Sequence, residues 1–212
     1  MVYTDLGVEA GSIIGPLIAG NTLHLICRAT GGSPPPTVTW LDGTSHLDMI
    51  SEVETQVLVA NILVMPSLKR QDLFRSLTCH ATNSNLTAPL STTVTIDINF
   101  PPLWVQLRSS REPVSAGRVY VVVCQAAGAR PPAIITWHLS HTRINAQSIN
   151  VSDQGNVTTS ELRLMPKVED LGKTLSCQAQ SPGVPSHSLK DEWRLNVYYA
   201  DKGVNIWNYA FF

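Results

Sequence analysis

Charge is sparse in this 212-residue chain and aromatic residues are sparser: Asp, Glu, Lys and Arg supply 15% of it, Phe, Trp and Tyr only 7%. The formal net charge is −1, and no run of Lys or Arg exceeds two residues. So even a balance leaves no electrostatic footprint for nucleic-acid phosphates or for an anionic membrane surface. No stretch of about 18 apolar residues occurs, so no membrane-spanning helix is expected. Met1 runs straight into strand-like sequence, without the basic region and apolar core of an export signal. Gly-rich phosphate loops, nucleophile elbows and local Ser/His/Asp signatures are also missing. The chain therefore reads as non-enzymatic, with no cofactor and no small-molecule substrate.

Cysteine is limited to four residues, none of them in a Cys-x-x-Cys pair, which argues against a structural zinc site. Their spacing is informative instead. Cys27, Trp40 and Cys79 recur as Cys124, Trp137 and Cys177, each 97 or 98 residues later. A two-sheet sandwich explains such a repeat. Inward cysteines on the second and sixth strands bridge the sheets, and a tryptophan on the third fills the core against the bridge. The expected fold is all-β: two tandem immunoglobulin-like β-sandwiches of I-set or C2-like form, each with one inter-sheet disulfide. The pairs are Cys27–Cys79 and Cys124–Cys177, with Trp40 and Trp137 as core residues. Each bridge closes a loop of roughly 50 residues, worth ~4 kcal/mol on the loop-entropy model. Disulfides place the chain in an oxidising space.

Apolar and polar residues alternate at a period of two along the predicted strands. Leu23, Leu25 and Cys27 point inward while Thr22, His24 and Ile26 point outward. Val38 and Trp40, then Leu77, Cys79 and Ala81, then Val94, Ile96 and Ile98 complete the inward set of the first domain, with Asn99 assigned outward. The second domain repeats the plan through Tyr120, Val122 and Cys124; Ile135 and Trp137; Leu175, Cys177 and Ala179; and Trp193, Leu195 and Val197. Pro101-Pro102 marks the boundary, since two prolines donate nothing to a ladder. The domains are expected at residues 1–99 and 100–199. Residues 200–212, with Trp207, Tyr209, Phe211 and Phe212, read as a tail or as the truncated start of a further domain.

The strand and turn segments permit a closer comparison. Pro113-Val114-Ser115-Ala116-Gly117-Arg118, Val123-Cys124-Gln125, Gly128-Ala129-Arg130-Pro131-Pro132 and Ile135-Thr136-Trp137 resemble the sidestep family of neuronal immunoglobulin receptors. Leu77-Thr78-Cys79-His80-Ala81-Thr82-Asn83, with Asn85-Leu86, does so too. Nephrin-like adhesion receptors share much of this pattern. The resemblance covers residues 10 to 198 and looks like the second and third immunoglobulin domains of a longer receptor. It implies a single-pass membrane protein with these domains on the extracellular side. It also implies recognition of another immunoglobulin-superfamily receptor, of beaten-path type, in axon guidance. A nephrin-like adhesion protein and a secreted, soluble immunoglobulin protein of immune or ligand-trapping type remain as alternatives. Lacking signal peptide and transmembrane helix, the chain reads as a fragment of the receptor.

One departure concerns the corner entering the sixth strand. A tyrosine usual two residues before the second cysteine is replaced by Leu77 and Leu175. Asp72 and Asp170, each seven residues before a cysteine, are expected to hold the corner by carboxylate hydrogen bonds with leucine packing beneath. Three glycosylation sequons begin at Asn85, Asn150 and Asn156. His138 and His141 fall on opposite faces of a strand, so no metal is assigned to them. Val119, Val121 and Val123 form an outward apolar row, a candidate contact surface.

Overall fold

Alternating burial along each strand builds two sandwiches, and the computed structural model describes residues 1–4, 7, 9–84, 86–152 and 154–199 of them. The chain divides into two units between Phe100 and Pro101. The expected tail beyond residue 199 and the sequon asparagine Asn85 lie outside the described residues.

The first unit contains β1 (Val2–Thr4), β2 (Ile13–Ile18), β3 (Leu23–Thr30), β4 (Thr37–Asp42), β5 (Ser45–Asp48), β6 (Glu52–Thr55), β7 (Leu58–Met65), β8 (Ser76–Thr82) and β9 (Leu90–Asn99). One sheet has the order β1-β3-β7-β6 and the other β2-β9-β8-β4-β5. Among the described residues of this unit the only parallel pairing is β2 with β9; the other ladders are antiparallel. Leu25, Val38, Trp40, Leu77, Ile96 and Ile98 are fully buried between the sheets. The edge strand after β4 is the short β5, so the 52-residue separation of the cysteines leaves no fuller variable-type sheet. Asn99 departs from its expected outward position. It is buried at the end of β9, where its carbonyl accepts a hydrogen bond from Ala19 N at 3.1 Å.

The second unit contains β10 (Trp104–Leu107), β11 (Val114–Ser115), β12 (Tyr120–Ala127), β13 (Ile134–Leu139), β14 (Thr142–Ile144), β15 (Ser148–Val151), β16 (Val157–Leu164), β17 (Thr174–Ser181), β18 (Val184–Arg194) and β19 (Val197–Tyr198). Its sheets run β10-β12-β16-β15 and β14-β13-β17-β18, with β11 and β19 as a separate parallel pair. Trp193, Leu195 and Val197 are all buried, but Leu195 sits in the break between β18 and β19 rather than in one continuous strand. Gly128, in the turn before β13, has φ +81°, and a Cβ there would meet the Leu103 side chain at 2.7 Å. Glycine is the residue that suits that backbone and that approach.

Disulfides join Cys27 to Cys79 and Cys124 to Cys177, with Cα separations of 6.3 and 6.5 Å. Trp40 lies across from Cys79 and Trp137 from Cys177 in the strand registers. A buried indole N–H needs an acceptor, and the strand facing each first cysteine supplies it. Asn61, opposite Cys27, accepts the Trp40 indole N–H on its backbone carbonyl at 3.2 Å while its amide donates to the Val38 carbonyl at 3.0 Å. Ser160, opposite Cys124, accepts the Trp137 indole N–H on its hydroxyl at 2.9 Å.

The corner entering the sixth strand is held as the carboxylates imply. Asp72 Oδ2 accepts the Lys69 N–H at 2.8 Å and Oδ1 pairs with Arg75 at 3.2 Å. Asp170 repeats this with Lys167 N–H and the Lys173 ammonium, both at 2.8 Å. Leu77 and Leu175 are fully buried beneath. Asp191 ties β18 across to β10 through the Leu107 N–H at 2.9 Å and meets Arg111 at 2.7 Å. Burial would raise the Asp170 and Asp191 carboxyls. For Asp170 the hydrogen bonds from Lys173 and the Lys167 N–H outweigh it, and for Asp191 the Leu107 and Glu192 N–H groups with Arg111 do the same. Both therefore titrate below the ordinary carboxylate range.

Three expectations follow from this packing. Trp137→Ala removes the core side chain and should cost about 3–5 kcal/mol, read as a lower midpoint of the second domain's transition by calorimetry. Ser160→Ala leaves the Trp137 N–H buried without an acceptor and should cost about 1–3 kcal/mol. Because Asp170 and Asp191 have lowered values when folded, their stabilisation is complete above the unfolded carboxylate value and is lost as pH falls below it toward the folded values. Urea midpoints measured from pH 7 to pH 2.5 should fall in that acid range, and less steeply for Asp191→Asn.

Candidate interaction surface

A hollow of about 500 Å³ lies beside β13 and the chain leading into β15, lined by residues such as Trp137, Arg143, Ile144, Asn145 and Gln147. Its lining holds no Asp, Glu, His, Lys, Tyr or Cys, the side chains that most often serve as general bases. Among the described residues no group of three His, Cys, Asp or Glu side chains is placed to hold a metal ion. His138 sits on β13 opposite Ser176 and Arg143, and His141 lies in the turn beyond it.

What the molecule offers instead is sheet faces. On the β2-β9-β8-β4-β5 sheet the outward rows are hydroxylic. Thr39, His80 and Ser91 line one row, and Thr78 with Thr93 forms part of the next. The Thr78 and Thr93 hydroxyls are 2.9 Å apart. The matching face of the second domain carries Thr136, Gln178 and Lys190, with Lys190 paired to Glu192 at 2.8 Å. Neither row presents the Trp, Tyr or Arg anchors that dominate binding hot spots.

The opposite faces differ from one domain to the other. In the second domain Val119 and Val121 are 53% and 54% exposed, while Val123 is half-buried. Val119 precedes β12 instead of belonging to it. Arg163 stands opposite Val121 and Glu161 opposite Val123, so the valines form a single column bordered by long charged side chains. In the first domain apolar residues run across strands. Tyr3 pairs with Ile26, Ile26 with Ile62, and Val64 follows on the same face of β7. Ile62 and Val64 are exposed, and Arg28 lies 5.6 Å from the Tyr3 ring centre. The sequence pattern Thr22, His24, Ile26 did not disclose this patch, because three of its members come from β7 and β1. A wider scan for alternation in β7 would have found Ile62 and Val64.

Asn150 and Asn156 are both exposed, the first within β15 and the second in the turn before β16.

The immunoglobulin-domain family model matches residues 9–83, and that of the CD80-like C2-set immunoglobulin domain matches residues 103–187. This chain is two immunoglobulin-like domains in tandem. It is similar to nephrin of Mus musculus, 28% identical over 188 residues that make up 87% of this chain and 15% of nephrin. It is also similar to Kin of IRRE-like protein 3 of Homo sapiens, 30% identical over 133 residues, covering 59% of this chain and 17% of that protein. The chain thus spans about 15% of the length of the nephrins it matches. Among solved structures, that of Rst D1-D2 has TM-score 0.66 at 16% identity, covering 93% of this chain and 99% of that one. The titin I-band fragment I67-I69 has TM-score 0.63 at 18% identity, covering 93% and 66%. These two likenesses show the fold.

If the valine column is a surface feature without a packing role, Val119→Thr with Val121→Thr should leave stability within about 0.5 kcal/mol of the parent. Chemical denaturation followed by tryptophan fluorescence checks this.

Proposed function

We propose that these two domains are part of the ectodomain of a cell-surface recognition or adhesion receptor, and that they act by binding protein. The similarity to nephrin along 87% of the chain carries this reading, since nephrin and the Kin of IRRE-like proteins are adhesion-type immunoglobulin receptors. Open sheet faces and a hollow without acid-base groups agree with it. Two inter-sheet disulfides agree with an extracellular setting.

At finer grain the reading is of a sidestep-like, single-pass receptor that guides axons by engaging a beaten-path-type immunoglobulin receptor. The turn and strand motifs around Cys79 and Cys124 support it. A nephrin-like adhesion protein is the second reading, favoured by the nephrin identity itself. The rows Thr39, His80, Ser91 and Thr136, Gln178, Lys190 carry no Trp, Tyr or Arg, which supports reading these domains as auxiliary to a membrane-distal, variable-type domain of the receptor.

Surface plasmon resonance separates the readings. The two-domain chain should bind a beaten-path-type ectodomain weakly or not at all, and the complete ectodomain should bind it firmly. Equal affinity of the two would move the binding site into these domains. Failure of the complete ectodomain to bind any beaten-path-type receptor, with binding to a nephrin or Kin of IRRE-like ectodomain, would replace the first reading by the second.

A further inference from the structure

Strand β15 ends its sheet, and no strand among the described residues pairs with its outer side. Its four residues are Ser-Ile-Asn-Val, uncharged, with Ile149 54% and Val151 47% exposed. It is also a well-formed strand. Its register with β16 runs unbroken from Ser148 opposite Glu161 to Val151 opposite Thr158. The Ser160 hydroxyl that accepts the Trp137 N–H reaches the Ser148 carbonyl at 3.4 Å, and the Ser148 hydroxyl meets Glu161 at 3.1 Å. An edge in unbroken register with exposed apolar side chains is a template on which another chain can add a strand.

The first domain shows how such an edge is closed. Strand β6 occupies the same position, outermost beside β7. It carries the exposed acids Glu52 and Glu54, and its register slips between Val53 and Thr55. Charge and irregularity are two established means of blocking edge pairing. Strand β15 has neither. What it has, one residue from its end, is the sequon Asn150-Val151-Ser152.

The register says where that asparagine points. Asn150 stands opposite Thr159, and on β16 the flanking Thr158 and Ser160 are buried, so Thr159 and Asn150 belong to the outward set. The amide therefore leaves the solvent face of the sheet at its open edge. Asn156 is placed differently, in the turn beyond the strand.

We propose that Asn150 is N-glycosylated and that its glycan keeps the β15 edge from pairing with a second copy of this chain. The donor is a polyprenyl-diphosphate-linked oligosaccharide. Asn150 Nδ2 forms the bond to C1 of the reducing-end sugar, the C1–O bond to diphosphate breaks, the diphosphate leaves with the electron pair, and the amide proton passes to the transferase base. This rests on the extracellular reading above only in requiring passage through the secretory pathway.

The test uses the 212-residue chain behind an added signal peptide, secreted from N-glycosylating cells, with no receptor present. Site occupancy is read by mass spectrometry after enzymatic deglycosylation in heavy-oxygen water. Self-association is read by light scattering over a concentration series for the parent, Asn150→Gln, Asn150→Lys and Asn156→Gln. Asn150 should be occupied, and the parent and Asn156→Gln should stay monomeric. Asn150→Gln should show a mass that climbs with concentration well above its 23.1 kDa polypeptide. Asn150→Lys also lacks the glycan but restores a charge to the edge, and it should stay monomeric. An unoccupied Asn150, a monomeric Asn150→Gln, or an Asn150→Lys that associates like Asn150→Gln overturns the proposal. None of these outcomes depends on which receptor the complete ectodomain binds, so failure of the recognition reading shows only in the plasmon-resonance experiment.

Discussion

A disulfide crossing between two sheets, with an indole opposite one of its cysteines, sets the spacing of each sandwich, and the other elements take their places from that distance. Cα separations of 6.3 and 6.5 Å are what two inward cysteines on facing sheets can span. The space left beside such a bridge suits a large flat side chain, and Trp40 and Trp137 are the largest fully buried residues of their domains. Burying an indole brings a polar obligation with it. The residue opposite the first cysteine on the neighbouring strand meets that obligation, by the Asn61 carbonyl in one domain and by the Ser160 hydroxyl in the other.

The two solutions are not equivalent. In the first domain Asn61 accepts the indole on its backbone and uses its amide nitrogen on the Val38 carbonyl, leaving its own Oδ1 buried without a hydrogen-bond partner. In the second domain one hydroxyl accepts the indole and donates to the Ser148 carbonyl. A buried acceptor without a donor is costly, so the serine makes the more complete network. It also extends that network to β15, which couples the order of the sheet edge to the order of the core.

Much of this architecture is legible in the sequence because it repeats and because strand period is rigid. Cys27, Trp40 and Cys79 with their counterparts specify the bridges, the core tryptophans and the two-domain plan, and alternation specifies which residues of β3, β4, β8 and β12 face inward. The aspartates of the corners were legible too, since Asp72 and Asp170 keep a fixed distance from a cysteine where a tyrosine is missing. What escaped depends on pairing between distant strands. Asn61 and Ser160 are ordinary polar residues until register places them across from a cysteine. The patch of Tyr3, Ile26, Ile62 and Val64 is assembled from three strands, while the valine column of β12, conspicuous along one strand, is bordered by Arg163 and Glu161 once its neighbours are in place. A linear pattern overstates a surface that lies along one strand and misses one that crosses several.

That distinction bears on how a repeated module acquires separate roles. Both domains keep the same strand order in the sheet that carries the first cysteine, so these two sheets differ from each other in their outward residues and edges. The outer face of the first domain is apolar across strands and its edge is guarded by Glu52 and Glu54. The second domain has charged side chains on the face and an uncharged edge. A protein partner gains most from contiguous apolar area with a charged rim that excludes the wrong register. By that criterion the first domain's face, with Arg28 and Glu54 paired at its margin, is the better candidate for contact. The second domain's face, where Val121 and Val123 stand opposite Arg163 and Glu161, suits exposure to solvent.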